Sequence, residues 1–260
     1  MGIIRKINQL LGNFVTPKGV IVLTYHRIND KIANDNLVVH PKKFSKQMFF
    51  LSFYRRQFRV IGIEEMMEYL SSERTIDSGE TGTKILITFD DGYRDNYLYA
   101  WPILKRYRFP AVIFLTAKYI GSEYKKERFK SLPWRRDYLN REEIREMVKG
   151  GISFGAHTMT HPHLLQIPLE EVEKEIKESK TVVSELTSKP TEAFCYPYGE
   201  YNTSIVELVK KSGFKCAFSV TPGVNYPGED VFQIKRIDVL GHDNFSSFKY
   251  KITEKYISTF

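Results

Sequence analysis

The feature that most constrains the fold is a short apolar run that ends in two consecutive carboxylates, Asp90 and Asp91. The run, residues 85–89, is mostly β-branched or aromatic, which is typical of a parallel strand covered on both faces. Open α/β sheets and α/β barrels place their chemistry just beyond the carboxyl ends of such strands. Because adjacent side chains at a strand end point in different directions, the two aspartates can have different roles. A plain Asp-Asp-Gly turn is the alternative interpretation.

A second polar cluster lies at residues 155–163, which contain three of the six histidines of the chain. His157 and His161 are four residues apart, a spacing that is common in pairs of metal ligands. The threonines between them are β-branched, and the proline after His161 disfavours a helical conformation there, so we expect a tight loop. One carboxylate with two imidazoles makes a three-ligand set with open positions. Such a set is typical of a catalytic rather than a structural metal.

These residues resemble the motifs of the polysaccharide deacetylase family, the NodB-homology domain of carbohydrate esterase family 4. The specific pair is TFDDGY at 88–93 followed by H-T-x-x-H at 157–161. Two weaker matches follow. The segment FCYPYG at 194–199 is similar to the family's third motif in the form seen in poly-N-acetylglucosamine deacetylases, and KRIDV at 235–239 is similar to the segment near the domain's end. The resemblance covers most of the chain.

The pattern of apolar strands alternating with amphipathic helices predicts an α/β fold, with about seven strand–helix units. The resemblance implies the finer architecture, a distorted (β/α) barrel with seven strands. The chain has 260 residues, of which 42% are hydrophobic, enough for one large core. We expect a single deacetylase domain over residues 19–260, preceded by an amphipathic helix over residues 1–18.

The resemblance also implies an activity and roles for five residues. The expected reaction is metal-dependent hydrolysis of N-acetyl groups from an N-acetylated sugar in a glycan, an oligosaccharide or a lipid-linked saccharide. Asp91, His157 and His161 would bind a divalent metal, with Zn²⁺ expected first and Co²⁺ or Ni²⁺ as alternatives. Asp90 would be the general base. The backbone N–H of Tyr198 would stabilise the oxyanion. The residues alone do not decide which aspartate is base and which is ligand.

Two further roles, the proton donor and the arginine that pairs with the base, are assigned from where candidate residues lie in the chain. His26 directly follows the apolar run 19–25, so we expect it to protonate the leaving amine, a role that the resemblance gives to such a histidine. His242, in a Gly-His-Asp segment that looks like a plain turn, is the alternative acid. The common form of the third motif carries an arginine that pairs with the catalytic base, and this sequence lacks it. We expect Arg236 to substitute for that arginine.

Charge and amphipathicity bear on partners and location. The net charge is +8, and residues 118–137 combine basic with aromatic side chains, which would suit an anionic or phosphate-linked glycan. No nucleic-acid module is visible, so we do not expect a nucleic-acid partner. Apolar residues within 3–14 recur at helical spacing, which indicates docking onto the domain or peripheral contact with a membrane surface. Without a secretion signal, we expect a cytoplasmic location, with contact at the inner face of the membrane as an extension.

Other segments carry plainer expectations. Cys195 and Cys216 are expected to be buried thiols in apolar strands. Residues 95–107 should form a crossover helix, and residues 231–239 should return to the barrel as a strand. Two other functions stay open: hydrolysis of a non-sugar amide or formamide by the same site, and a carbohydrate-binding protein that has kept the fold without turnover.

Overall fold

A computed structural model describes residues 16–32, 35–72, 82–121, 137–253, 256 and 258–259. One parallel sheet organises these residues, with strand order β10-β1-β5-β6-β7-β8-β9, and β4 pairs with the first half of β5. A separate two-stranded sheet joins β2 to β3. The strands are β1 (Val20–Tyr25), β2 (Arg27–Ile28), β3 (Val38–Val39), β4 (Phe58–Val60), β5 (Thr83–Phe89), β6 (Ala111–Leu115), β7 (Ile152–Ala156), β8 (Ala193–Cys195), β9 (Cys216–Phe218) and β10 (Ile237–Asp238).

The two ends of this sheet are joined by one short segment. Ile234 forms a parallel bridge with Phe218 of β9, and three residues later Ile237 pairs with Leu23 of β1. The seven strands on the path therefore form a ring, and the predicted α/β barrel with seven strands is confirmed. The strand β4 is an addition that the sequence pattern did not separate from its neighbours.

The helices cover the outside of the barrel, and several begin at a residue whose side chain caps the first turn. Asn140 and Glu143 form a reciprocal capping box at the start of α4, so two otherwise unpaired backbone N–H groups are satisfied. The helices are α1 (Pro41–Phe53), α2 (Ile63–Leu70), α3 (Trp101–Tyr107), α4 (Arg141–Lys149), α5 (Leu169–Thr187), α6 (Thr203–Lys211) and α7 (Phe245–Lys251).

Side chains alternate between the two faces of each strand, so they form one apolar cluster outside the barrel and one inside it. At the carboxyl ends of the strands, the inward side chains become polar and line the mouth of the barrel. On β5, the odd-numbered residues 85–89 belong to the large cluster shared with the helices, whereas Leu86 belongs to the smaller cluster inside the barrel. Met66 and Leu70 of α2 join the inner cluster. Beyond the carboxyl ends of the strands, the same inward register continues into polar residues. These residues are His26, Asp90 and His157.

Two expected elements differ in detail. Residues 95–107 do not form one helix, because a π-helical turn, Asn96–Ala100, precedes α3. The segment 231–239 is a strand only at Ile237–Asp238. The side chain of Asn225 explains the second difference, because it accepts from the N–H of Lys235 and donates to its carbonyl oxygen. A side chain therefore replaces strand pairing there.

Several predictions fall outside the described residues. The N-terminal helix and most of the basic segment at 118–137 belong to this group. Three expectations therefore stay predictions. They are membrane contact through residues 3–14, an anionic or lipid-linked saccharide as substrate, and a cytoplasmic location. Among the residues that the structure describes, none of the helices is long and apolar enough to span a bilayer.

Candidate active site

Three donor atoms meet at the mouth of the barrel in a geometry that suits a metal ion. Nε2 of His157 lies 3.7 Å from Oδ1 of Asp91, and Nε2 of His161 lies 3.6 Å from the same oxygen. Two ligands bound at about 2.1 Å by one tetrahedral Zn²⁺ lie roughly 3.4 Å apart. We call Asp91, His157 and His161 the donor set. Its spacing and its mixture of oxygen and nitrogen atoms fit a zinc-like ion.

The hydrogen bonds of His157 fix which nitrogen faces the donor set. Its Nδ1 lies 2.8 Å from the carbonyl oxygen of Cys195, which can only accept, so Nδ1 carries the hydrogen. The lone pair of Nε2 therefore points toward Asp91. Burial, with a smaller contribution from the neighbouring His161, lowers the pKa of His157 to about 4. A neutral imidazole at neutral pH is the form that binds a metal.

Residues with a left-handed backbone conformation cluster at the mouth of the barrel. Asp91 (φ 74°), Thr158 (φ 61°), His161 (φ 60°) and Tyr198 (φ 56°) are four of the six described non-glycine residues with positive φ. The other two close α3 and α5, where such a conformation is common. Non-glycine residues adopt it at a cost, and that cost is often found at functional sites. The hydroxyl of Thr158 partly supports the turn, because it accepts from the N–H of His161 at 3.0 Å.

Asp90 occupies a different environment from Asp91. Both are acidic, but Asp90 is buried and its two oxygens accept hydrogen bonds of 2.8 Å from the two terminal nitrogens of Arg236. Burial alone would raise the pKa of Asp90, and the charge and hydrogen bonds of Arg236 outweigh it and hold that pKa below its usual range. Asp90 is therefore ionised at neutral pH.

Cys195 contradicts one expectation. Its thiol is buried as predicted, but its surroundings are not purely apolar, because Nη2 of Arg236 lies 3.1 Å from the sulfur. Oδ2 of Asp90 lies 3.7 Å from the same atom. The side chain of Cys195 faces inward at the end of β8, at the same level of the barrel as the ion pair between Asp90 and Arg236. Burial raises the pKa of the Cys195 thiol well above its ordinary value, so the group is protonated.

Of the two candidate acids, His26 is the one that lies beside Asp90. Its Nε2 is 4.0 Å from Oδ2 of Asp90, and its side chain is 21% exposed, so it can reach both the site and solvent. His242 is exposed in the turn after β10. That turn is not the plain one that we expected, because Asp243 is buried and pairs with Lys251 at 2.6 Å.

Tyr198 presents two groups to the mouth. Among the described residues, its backbone N–H donates no hydrogen bond, so it is available to a ligand. The residue is 52% exposed, and its ring stacks on the imidazole of His163 with centroids 3.9 Å apart. The same ring meets His161 edge-on at 4.5 Å. Nδ1 of His163 in turn lies 3.0 Å from Oε1 of Glu200.

Comparison with known proteins agrees with this geometry. The family model described as polysaccharide deacetylase matches residues 77–217, just over half of the chain. The chain belongs to the polysaccharide deacetylase family. This polysaccharide deacetylase is 28% identical over 223 residues to YxkH of Bacillus subtilis (strain 168), a relative named for the same family, covering 86% of this chain and 72% of the relative. It is 24% identical over 239 residues to the poly-β-1,6-N-acetyl-D-glucosamine N-deacetylase of Staphylococcus aureus (strain MSSA476), covering 84% and 77%.

Solved structures agree with the fold. The Streptococcus pyogenes deacetylase PplD, in complex with acetate, superposes with a TM-score of 0.75 at 25% identity, covering 91% of this chain and 99% of PplD. IcaB from Ammonifex degensii gives a TM-score of 0.74 at 23% identity, covering 91% and 96%. The expected barrel is therefore confirmed. The chain is a carbohydrate N-deacetylase, a hydrolase of a metal-dependent family.

Sequence reasoning missed three supports of this deacetylase site. Tyr93, the last residue of the first motif, lies beside Asp91, and burial together with the negative charge of Asp91 raises the pKa of its hydroxyl. The guanidinium of Arg27 lies 4.3 Å from the centroid of the Tyr93 ring and pairs with the buried Asp95 at 2.7 Å. Glu175 of α5 binds the loop that carries His161. Only Tyr93 had a signal in the sequence, because the others stand among ordinary charged residues.

Proposed function

We propose that this polysaccharide deacetylase uses Zn²⁺ and removes acetyl groups from N-acetylglucosamine units of a glycan. The observation that carries the proposal is the position of Asp90, which is bonded by Arg236 through two hydrogen bonds of 2.8 Å and lies 4.0 Å from His26, next to the donor set. Amide hydrolysis needs a base, a polarised carbonyl and an acid for the departing amine, and this mouth offers a group for each. The names of the staphylococcal relatives support N-acetylglucosamine as the sugar.

The roles of the side chains follow from their surroundings. Asp91, His157 and His161 would hold a divalent metal, which would supply a Lewis acid for lowering the pKa of water and polarising a carbonyl oxygen. Asp90 accepts the proton of the attacking water, and its ion pair with Arg236 keeps it deprotonated beforehand. The backbone N–H of Tyr198 donates to the oxygen that becomes negative. His26 then donates a proton to the departing amine nitrogen.

Metal removal tests the reaction class. Acetate release from β-1,6-linked N-acetylglucosamine oligomers should cease after chelation and return with about one equivalent of Zn²⁺ per chain, because the described donor set offers ligands for one ion. The measurement is enzymatic detection of acetate, with β-1,4-linked oligomers as a linkage control. Release that survives exhaustive chelation would refute metal dependence. Bound zinc without acetate release from any oligomer would indicate another acylated substrate, and no bound zinc would favour a binding protein.

The choice between the two histidines is tested separately. His26→Ala should lower kcat by about 10²–10⁴-fold, because the leaving amine loses its proton donor. His242→Ala should leave kcat unchanged, since that side chain is exposed in a turn. Both variants should bind zinc as the wild type does. The reverse pattern, with His242→Ala inactive and His26→Ala active, would show that the acid has been assigned to the wrong histidine.

A further inference from the structure

The loop at residues 158–161, which we call the ligand loop, lies outside the named strands and helices, yet its main chain is well bonded. The carbonyl oxygens of Thr158, Met159 and Thr160 accept hydrogen bonds of 3.0, 3.0 and 3.1 Å from residues 117–119, the last of these from a tyrosine hydroxyl. This segment follows β6 and lies against one side of the loop. Buried or half-buried carbonyl groups need such partners, so one side of the ligand loop is anchored by its neighbour in the sheet.

The N–H groups of the ligand loop are bonded by one side chain from a distant helix. Oε2 of Glu175 accepts from the N–H of Met159 at 2.8 Å and from the N–H of Thr160 at 2.9 Å. Oε1 of the same carboxylate accepts from the hydroxyl of Thr160 at 2.8 Å. Among the described residues, these two backbone N–H groups have no other acceptor. A single carboxylate therefore makes three hydrogen bonds to two adjacent residues.

We infer that Glu175 is a positioning residue for the metal ligands His157 and His161, acting through the ligand loop that joins them. The inference rests on the proposed metal site. Two of the loop's four residues, Thr158 and His161, hold left-handed backbone conformations, which persist only where the surroundings fix them. Charge-assisted hydrogen bonds from a carboxylate to backbone N–H groups are among the stronger ones available. Glu175 keeps the second imidazole at the distance from Asp91 that the donor set requires.

The helix that carries Glu175 is a firm base for this role. Val172 and Ile176, on either side of it in α5, are fully buried in the large apolar cluster. The neighbouring acids have ordinary surface roles: Glu173 pairs with Lys177, and Glu178 is half exposed and lies near Lys174. Glu175 therefore differs from the other acids of its helix in what it contacts. This difference supplies a matched control within the same helix.

The experiment measures Zn²⁺ affinity by competition with a chromophoric chelator, and thermal stability of the metal-free chain, for three variants. Glu175→Ala should weaken Zn²⁺ binding by roughly 10–100-fold, the usual effect of losing a group that holds a ligand in place. Glu175→Gln should recover most of that affinity, because its amide oxygen can accept from both N–H groups while its NH₂ donates to the hydroxyl of Thr160. Glu178→Ala should bind Zn²⁺ as the wild type does.

The outcomes separate this inference from the proposed reaction. A folded Glu175→Ala chain with wild-type Zn²⁺ affinity would overturn the inference, and so would a Gln variant as weak as the Ala variant, since hydrogen bonding would then not be the cause. If Glu175→Ala fails to fold, Thr160→Val removes only the hydroxyl bond and should still weaken binding measurably; unchanged affinity there overturns the inference too. Zn²⁺ binding needs no substrate, so failure to release acetate would contradict the proposed function alone. A wild-type chain that binds no Zn²⁺ would overturn both.

Discussion

Asp90→Asn should reduce deacetylation by at least about 10²–10⁴-fold, with zinc still bound. Asparagine has nearly the same shape as aspartate but cannot accept a proton from water, so the base is lost. The metal should remain, because the donor set uses Asp91 and the two histidines and not Asp90. The measurement pairs kcat from acetate release with zinc content per chain. Asp137→Asn is a suitable control, since that carboxylate is half exposed, pairs with Arg94 and is not one of the donor set.

Two results would contradict the assignment of Asp90. Wild-type kcat in a zinc-loaded Asp90→Asn variant would mean that another group accepts the proton. Loss of zinc together with activity would mean that Asp90 is itself a ligand. The second result has a structural basis, because Asp90, His157 and Cys195 also bring donor atoms within 4.8 Å of one another. The ion pair with Arg236 argues against that set, since a guanidinium already occupies both oxygens of Asp90.

The parts of this molecule that the sequence predicted are those governed by local pattern. Apolar runs identified the strands, and in a parallel barrel the residues just beyond strand ends must meet at one mouth. That single rule is enough to place Asp90, His26 and the pair at 157 and 161 near one another. The roles that we gave them stay predictions until variants are measured. The finer geometry, a barrel with seven strands, came from family resemblance and not from periodicity.

What the sequence could not predict depends on contacts between distant segments. Glu175 sits in a helix rich in charged residues, and nothing in the spacing of that helix distinguishes it from its solvent-facing neighbours. The same holds for Asp95, which reads as the start of a helix but is buried against Arg27 and accepts from the backbone N–H of Ile28. Cys195 was expected to lie among apolar residues. Its contact with Arg236 exists only because β8 and the segment before β10, which lie on either side of β9 in the ring, both turn side chains into the barrel.

Arg236→Met should destabilise the fold by about 3–5 kcal/mol, because it leaves the carboxylate of Asp90 buried without a partner. The free energy of unfolding, measured in urea on metal-free protein, should therefore fall sharply. For Arg236→Lys the free energy of unfolding should fall less than for Arg236→Met, because lysine keeps the positive charge. It should still fall, because lysine cannot make two parallel hydrogen bonds to one carboxylate. The double variant Asp90→Asn with Arg236→Met removes both charges and should be more stable than Arg236→Met alone.

The double-mutant cycle decides whether Arg236 acts through Asp90. If the two substitutions add without coupling, the two 2.8 Å hydrogen bonds contribute little and Asp90 must be stabilised elsewhere, which would contradict the role of Arg236. Strong coupling between the two substitutions would show that Arg236 acts through Asp90, and this interaction has two opposing effects on catalysis. The hydrogen bonds that keep Asp90 ionised also make it a weaker base, because they favour the charged form over the protonated one. Arg236 therefore keeps Asp90 deprotonated at the cost of lowering its affinity for a proton. Such a weak base is useful only where another group lowers the pKa of the attacking water.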